Sequence, residues 1–257
     1  MKGAGDENFP VASALLPGWA RPHVMRFYAF ARAADDVADS DSLSIEQKRA
    51  SLNAMARDIA MTLGPSLAET GVSDQYARNL VAAFRRDAEN PRTVDWADLM
   101  AYCALSAAPV GRYLVELMGG AEDGWETASD SLCAALQVLN HIQDVRDDFV
   151  RLGRVYVPAD WMRAHGVVDA DLAGASCAPG LRAVLDRMLD GVDRLLADAR
   201  PLPVRIRSRR LGREAGGILA IAGLLARRLR RRDPLAERVE LGRVETMAVF
   251  AWGVLRS

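Results

Sequence analysis

Residues 136–158 read LQVLNHIQDVRDDFVRLGRVYVP. Gln137, Asn140, Asp144 and Asp148 fall at i, i+3, i+7 and i+11, a single stripe on a helix of 3.6 residues per turn. Leu136, Leu139 and Ile142 lie off that stripe. One face of the expected helix therefore carries two amides and two carboxylates, while its flanks are apolar. A stripe of this kind offers oxygen ligands to a hard cation. Mg²⁺ in particular takes six oxygens in an octahedron and shares them with waters and substrate phosphates.

A second acidic run, FARAADDVADS at residues 30–40, repeats the pattern. Asp35 and Asp39 are spaced D-x-x-x-D, as are Asp144 and Asp148. Four residues is about one helical turn, so each pair places two carboxylates on one face. Arg32 precedes Asp35 by three residues, where it pairs with the acids or grips a phosphate oxygen. Taken alone, an aspartate pair at i, i+4 is usually a solvated helix face. Two pairs of equal spacing, each in an otherwise apolar helix, are harder to dismiss. Turned toward each other, they would gather negative charge that divalent metal relieves, with diphosphate as the natural ligand of that metal.

Nearly every other segment also has helical period, and strand-like alternation is scarce. Helices are expected at about 10–40 (interrupted near Pro17–Pro22), 44–63, 73–90, 94–119, 125–151, 178–200, 204–231 and 241–256. Ser44 followed by Gln47 reads as a capping box. Gly64-Pro65, Asn90-Pro91 and Gly119-Gly120 read as stops. Pro109 and Gly111 should kink the helix that contains them. Residues 153–179 form the longest stretch without helical period and follow the second acidic run, where a loop would cover a site. No linker or repeat divides residues 1–257, so the expectation is one all-α domain.

Bulk composition narrows the function classes. Half of the 257 residues are apolar and the formal net charge is −1, which shows no overall bias toward nucleic acid. Cys103, Cys133 and Cys177 are far apart, with no C-x-x-C pair, which argues against a disulfide framework; Cys103 and Cys133 are expected in the core. The start of the chain shows no signal peptide, and no apolar run reaches the roughly 20 residues that span a bilayer. A cytoplasmic protein is expected, with peripheral contact at the inner membrane face left open. Two arginine runs, 205–213 and 227–232, lack interleaved aromatics for stacking bases. They read as solvated helix faces, with anionic lipid headgroups as the minority reading. His141 beside the acidic stripe reads as incidental. Phe27 and Phe149 read as core.

These motifs carry a family resemblance. FYAFARAADDVAD, YCALSAAPVG and LQVLNHIQDVRDD…RLGRVYVP together resemble the squalene/phytoene synthase family, over most of the chain from about Asn8 to past Arg238. The resemblance implies an isoprenoid-synthase-type helical bundle with a central apolar cavity. It implies that Asp35, Asp39, Asp144 and Asp148 bind Mg²⁺, two or three ions together with a substrate diphosphate. Asp35 and Asp144 then share the catalytic role with Tyr102, which would line the site near the ionising carbon. Gln137 and Asn140 would support the second face, Arg32 and Arg154 hold diphosphate, and Tyr156 helps close the site.

Within the family, ENFPVAS and NHIQDVRDDFVRLGRVYVPADWM are most similar to members that turn presqualene diphosphate into hydroxysqualene for hopanoid and squalene biosynthesis. That implies ionisation followed by capture of the carbocation by water, with no NADPH. The alternative is a phytoene, squalene or dehydrosqualene synthase joining two prenyl diphosphates such as farnesyl diphosphate. A non-catalytic helical assembly factor is a further reading, disfavoured because both aspartate pairs are intact. A terpene cyclase would carry a different second motif. Gly5, Asp6, Glu7 and Asn8 stand before Phe9 where some family members have His or Ser, which weakens the case for an N-terminal diphosphate contact.

Overall fold

The computed structural model describes residues 16–89 and 92–256. The ENFPVAS stretch, the Asn90-Pro91 stop and the expected helix start near residue 10 lie outside these. The fold is all-α: among the described residues no strand occurs, only isolated bridges at Arg92–Val155 and Ala121–Ile206.

In chain order the helices are α1 (Ala20–Asp39), α2 (Ile45–Arg57), α3 (Ile59–Thr62), α4 (Gly64–Thr70), α5 (Gln75–Glu89), α6 (Trp96–Ser106), α7 (Ala108–Leu117), α8 (Trp125–Gln143) and α9 (Val145–Leu152). They continue with α10 (Ala159–Ala164), α11 (Pro179–Ala199), α12 (Leu202–Arg205), α13 (Arg209–Leu229) and α14 (Arg243–Arg256). The Ser44 hydroxyl accepts from the Gln47 amide while the Gln47 side chain accepts from the Ser44 amide, so the capping box forms. The chain breaks at Ala107 before Pro109, where the missing proline donor interrupts the ladder.

Three expectations are corrected. Gly64-Pro65 starts α4 rather than ending a helix, because proline at the first turn removes only a donor that has no partner there. The expected 125–151 helix is bent at Asp144, whose φ of −99° and ψ of 12° separate α8 from α9. The backbone bonds Asp144 N to Asn140 O and Asp148 N to Asp144 O, both 2.8 Å, carry the stripe across the bend. The stretch after the second acidic run is only partly loop: it contains α10 and a 3₁₀ turn at Asp169–Ala173.

Two buried clusters flank the interior. One is built chiefly from α6, α8, α11 and α13, with Leu139, Ile142, Leu185, Met188 and Leu189 sealed from solvent. The other joins α1, α2, α5 and α7 through Phe27, Phe30, Leu52 and Leu80. Phe27 stacks on Tyr113 at 4.0 Å, as a core aromatic would. Between the second of these clusters and a smaller third one, which includes Val115, Leu132, Leu202 and Leu211, lies an apolar cavity of about 230 Å³, walled by α1, α7, α8, α12 and α13. Cys133 faces that cavity, whereas Cys103 is buried in the core.

Gly153 ends α9 with φ of +65° and turns the chain so that Arg154 enters the interior. A Cβ there would meet no atom within 4 Å, so the cost of a side chain is conformational alone. Gly153→Ala is expected to lower stability by about 1–2 kcal/mol, read as a drop in melting temperature. No change would show that the turn relaxes freely.

Candidate active site

All ten residues singled out from the sequence line one cavity of about 640 Å³: Arg32, Asp35, Asp39, Tyr102, Gln137, Asn140, Asp144, Asp148, Arg154 and Tyr156. Helix α1 contributes the first aspartate pair and α8–α9 the second. Asp36 also borders the cavity, whereas Asp147, although part of the second run, points outward. The polar cavity adjoins the apolar one: consecutive residues Ala31 and Arg32, and again Leu136 and Gln137, line the two cavities in turn.

The charges in the cavity are strongly coupled. Arg32 donates to Asp35 at 2.6 Å and lies 3.6 Å from Asp36. Arg154, nearly sealed from solvent, reaches across to Asp39 at 2.7 Å and so links the loop after α9 to α1. Burial works against the Arg154 charge, but Tyr156, Asp87 and Asp39 outweigh it and hold the guanidinium more firmly protonated than usual. Burial, and then the neighbouring Asp39, push the Asp35 carboxyl up to about 7. An acid so burdened gains from any cation brought beside it. The donor set is carboxylate and amide oxygen, which suits a hard divalent ion. Among the described residues no three His, Cys, Asp or Glu side chains are grouped to enclose one ion by themselves.

Two residues central to the cavity were missed or misjudged in the sequence. Asp87, at the end of α5, is 6 % exposed. It accepts hydrogen bonds from Tyr102 Oη at 2.7 Å and Tyr156 Oη at 2.8 Å. Burial raises its pKa above the usual carboxylate range, and the two phenols are likewise raised, first by burial and then by Asp87. Asp87 has no acidic partner at helical spacing, so it lacks the signature of the other two sites. It does fall four residues after Ala83 and seven after Leu80, on the buried face of α5, and a lone acid on an apolar stripe was the available signal. His141 is not incidental. It is buried, stacks on Tyr156 at 3.7 Å, and its Nε2 lies 3.1 Å from the Gln137 amide nitrogen. Its Nδ1 is 3.7 Å from Asp148.

The arginine runs are mainly solvated, as expected: Arg207, Arg209, Arg210, Arg213, Arg227, Arg231 and Arg232 are exposed, but four of the ten also hold other elements. Arg205 and Arg207 donate to the carbonyls of Gly124 and Gly119, and Arg228 pairs with Glu245. Arg230 bridges Asp190 and Asp193 on α11. These guanidiniums staple α12, α13 and their flanking turns to neighbouring elements.

Both carboxylate pairs thus line one polar cavity that adjoins an apolar one inside a helical bundle, an arrangement in keeping with the prenyltransferase-type family that the sequence matches. The squalene/phytoene synthase family model matches residues 3–245, and the chain belongs to that family. It is 38 % identical to the hydroxysqualene synthase of Rhodopseudomonas palustris, over 98 % of this chain and 89 % of that one. It is 38 % identical to the hydroxysqualene synthase of Zymomonas mobilis, over 96 % and 87 %. The structure is similar to that of a squalene synthase from Alicyclobacillus acidocaldarius, with a TM-score of 0.77 and 29 % identity, covering 86 % of this chain and 87 % of that one.

Proposed function

We propose that the protein converts presqualene diphosphate to hydroxysqualene, with Mg²⁺ as its cofactor. The observation that carries this reading is the single cavity in which both aspartate pairs, Arg32 and Arg154 surround a space opening beside an apolar one. The choice of product rests on similarity to the two hydroxysqualene synthases. When bound, Mg²⁺ supplies the positive charge that carries a departing diphosphate. Asp35, Asp39, Asp144 and Asp148 would hold it, with Asn140 and Gln137 beside the second pair.

Arg32 and Arg154 add fixed positive charge on the same side, placed before the reaction begins. The carbon–oxygen bond to diphosphate breaks, and the leaving group departs with the electron pair. Tyr102 and Tyr156 turn their hydroxyl hydrogens into Asp87, which leaves phenol oxygen lone pairs directed toward the cavity. The apolar cavity takes the prenyl chains and excludes bulk water. One water oxygen then bonds to the carbocation and its proton passes to the released diphosphate. The equation balances without a reductant, so no NADPH is called for.

Incubation of the purified protein with Mg²⁺ and presqualene diphosphate tests the reading. Hydroxysqualene and diphosphate are expected in equal amounts, with turnover lost in EDTA and restored by Mg²⁺. Consumption of farnesyl diphosphate while presqualene diphosphate returns unchanged would replace it with a condensing synthase, the second reading, which the likeness to a solved squalene synthase favours. No turnover of either substrate would leave a non-catalytic helical factor.

A further inference from the structure

We propose that α14 is an interfacial helix that lays the enzyme on an anionic lipid bilayer. One face of α14 packs on α13, so closely that a Cβ on Gly253 would fall 2.4 Å from the Gly216 carbonyl oxygen. The opposite face is apolar and open: Val244, Met247, Trp252 and Leu255 are 82, 72, 52 and 84 % exposed. Ala248 and Ala251 lie between them, also exposed. At about 100° per residue these six side chains cover a continuous sector of roughly 140°. Arg243 borders the sector on one side, Glu245 and then Arg256 border it on the other, both arginines are exposed, and no carboxylate lies within the sector itself. Arg256 stands 4.4 Å over the Trp252 ring, an amphipathic pair suited to the boundary between headgroups and acyl chains. The carboxylate nearest in sequence, Glu245, is engaged by Arg228.

The charge pattern selects the occupant. A second copy docked on this face would bring arginines against arginines, while the one bordering acid, Glu245, is already engaged by Arg228. An anionic bilayer supplies phosphates to both flanking arginines and an apolar layer to the stripe between them. Fourteen residues rise about 21 Å, too short to span a bilayer, so the helix lies in the membrane plane. Helix α13 also lines the apolar cavity through Leu211, Ala215 and Ile218. The docked surface thus sits one helix away from the space for the prenyl chains. The proposal holds whichever prenyl diphosphate the enzyme takes.

Sedimentation of the full chain with phosphatidylcholine vesicles, with and without phosphatidylglycerol, tests it, alongside sedimentation velocity without lipid. The wild type is expected to pellet with the anionic vesicles. Met247→Glu and Leu255→Glu should each reduce partitioning about tenfold or more, with unchanged circular dichroism because both side chains are exposed. Arg243→Glu with Arg256→Glu should abolish the preference for anionic vesicles. A wild type that stays in the supernatant, or pellets equally with the glutamate variants, overturns the proposal. So does a wild-type dimer that either glutamate variant dissociates, which would assign the face to a second copy.

Discussion

Asp35→Ala and Asp144→Ala are each expected to abolish turnover while the protein still folds. Each removes a carboxylate from one of the two facing pairs and leaves the cation short of an oxygen donor. Charge stabilisation of a leaving group by a metal is worth several kcal/mol, so loss of about a thousandfold or more in kcat is the expected scale. Neither change opens an apolar void, since both side chains border a polar cavity. Near-normal activity in either variant would defeat the proposed metal site.

Asp35 carries a second, opposite effect on stability. Its carboxyl lies at about 7 in the folded chain against 3.8 as a free side chain, chiefly through burial. The folded state therefore binds this proton more tightly than the unfolded state. The stability it contributes is complete below the unfolded value and is lost as pH rises through 7. The full shift would be worth about 4 kcal/mol, and roughly half of that is expected to survive solvent screening. At pH 8 in EDTA, Asp35→Asn should thus melt about 4–8 °C above the wild type. The gap should close toward pH 4 and narrow when Mg²⁺ is added to the wild type. A variant that melts lower at pH 8 would mean that the Arg32 ion pair outweighs the burial.

Asp87 should also prove sensitive, though less so than the aspartate pairs, without touching metal. Asp87→Ala leaves the hydroxyls of Tyr102 and Tyr156 without their acceptor, at a cost of about 1–3 kcal/mol for each buried group. The phenols would then rotate toward other acceptors, including the diphosphate and Asp148. kcat is expected to fall roughly ten- to a hundredfold, the scale seen when supporting partners of a site are removed, with KM within a few-fold. Asp87→Asn keeps one carbonyl acceptor and should retain more activity than the alanine variant. Equal kcat in Asp87→Ala and the wild type, with only a lower melting temperature, would reduce Asp87 to a packing role.

The two aspartate pairs were legible in the chain because both partners of each pair lie within one helical turn, where spacing translates directly into geometry. The same holds for the Gln137–Asn140 stripe, for the Ser44 capping box and for the all-helical class. Asp87 and His141 were not read correctly, because their roles come from partners far away in sequence. Asp87 meets Tyr156 across 69 residues, and His141 gains importance only when the loop after Gly153 lays Tyr156 against it. The contacts of Arg205, Arg207, Arg228 and Arg230 were hidden for the same reason, since the carbonyls and carboxylates that hold them belong to other turns and helices. Local periodicity thus determined which residues share a face and which chemistry those faces offer. Only tertiary packing decided that the two acidic faces border one cavity, that a buried acid governs two tyrosines there, and that α14 keeps an apolar face toward solvent. Helical spacing is set by backbone hydrogen bonds between near neighbours, whereas the meeting of distant side chains depends on how whole helices pack.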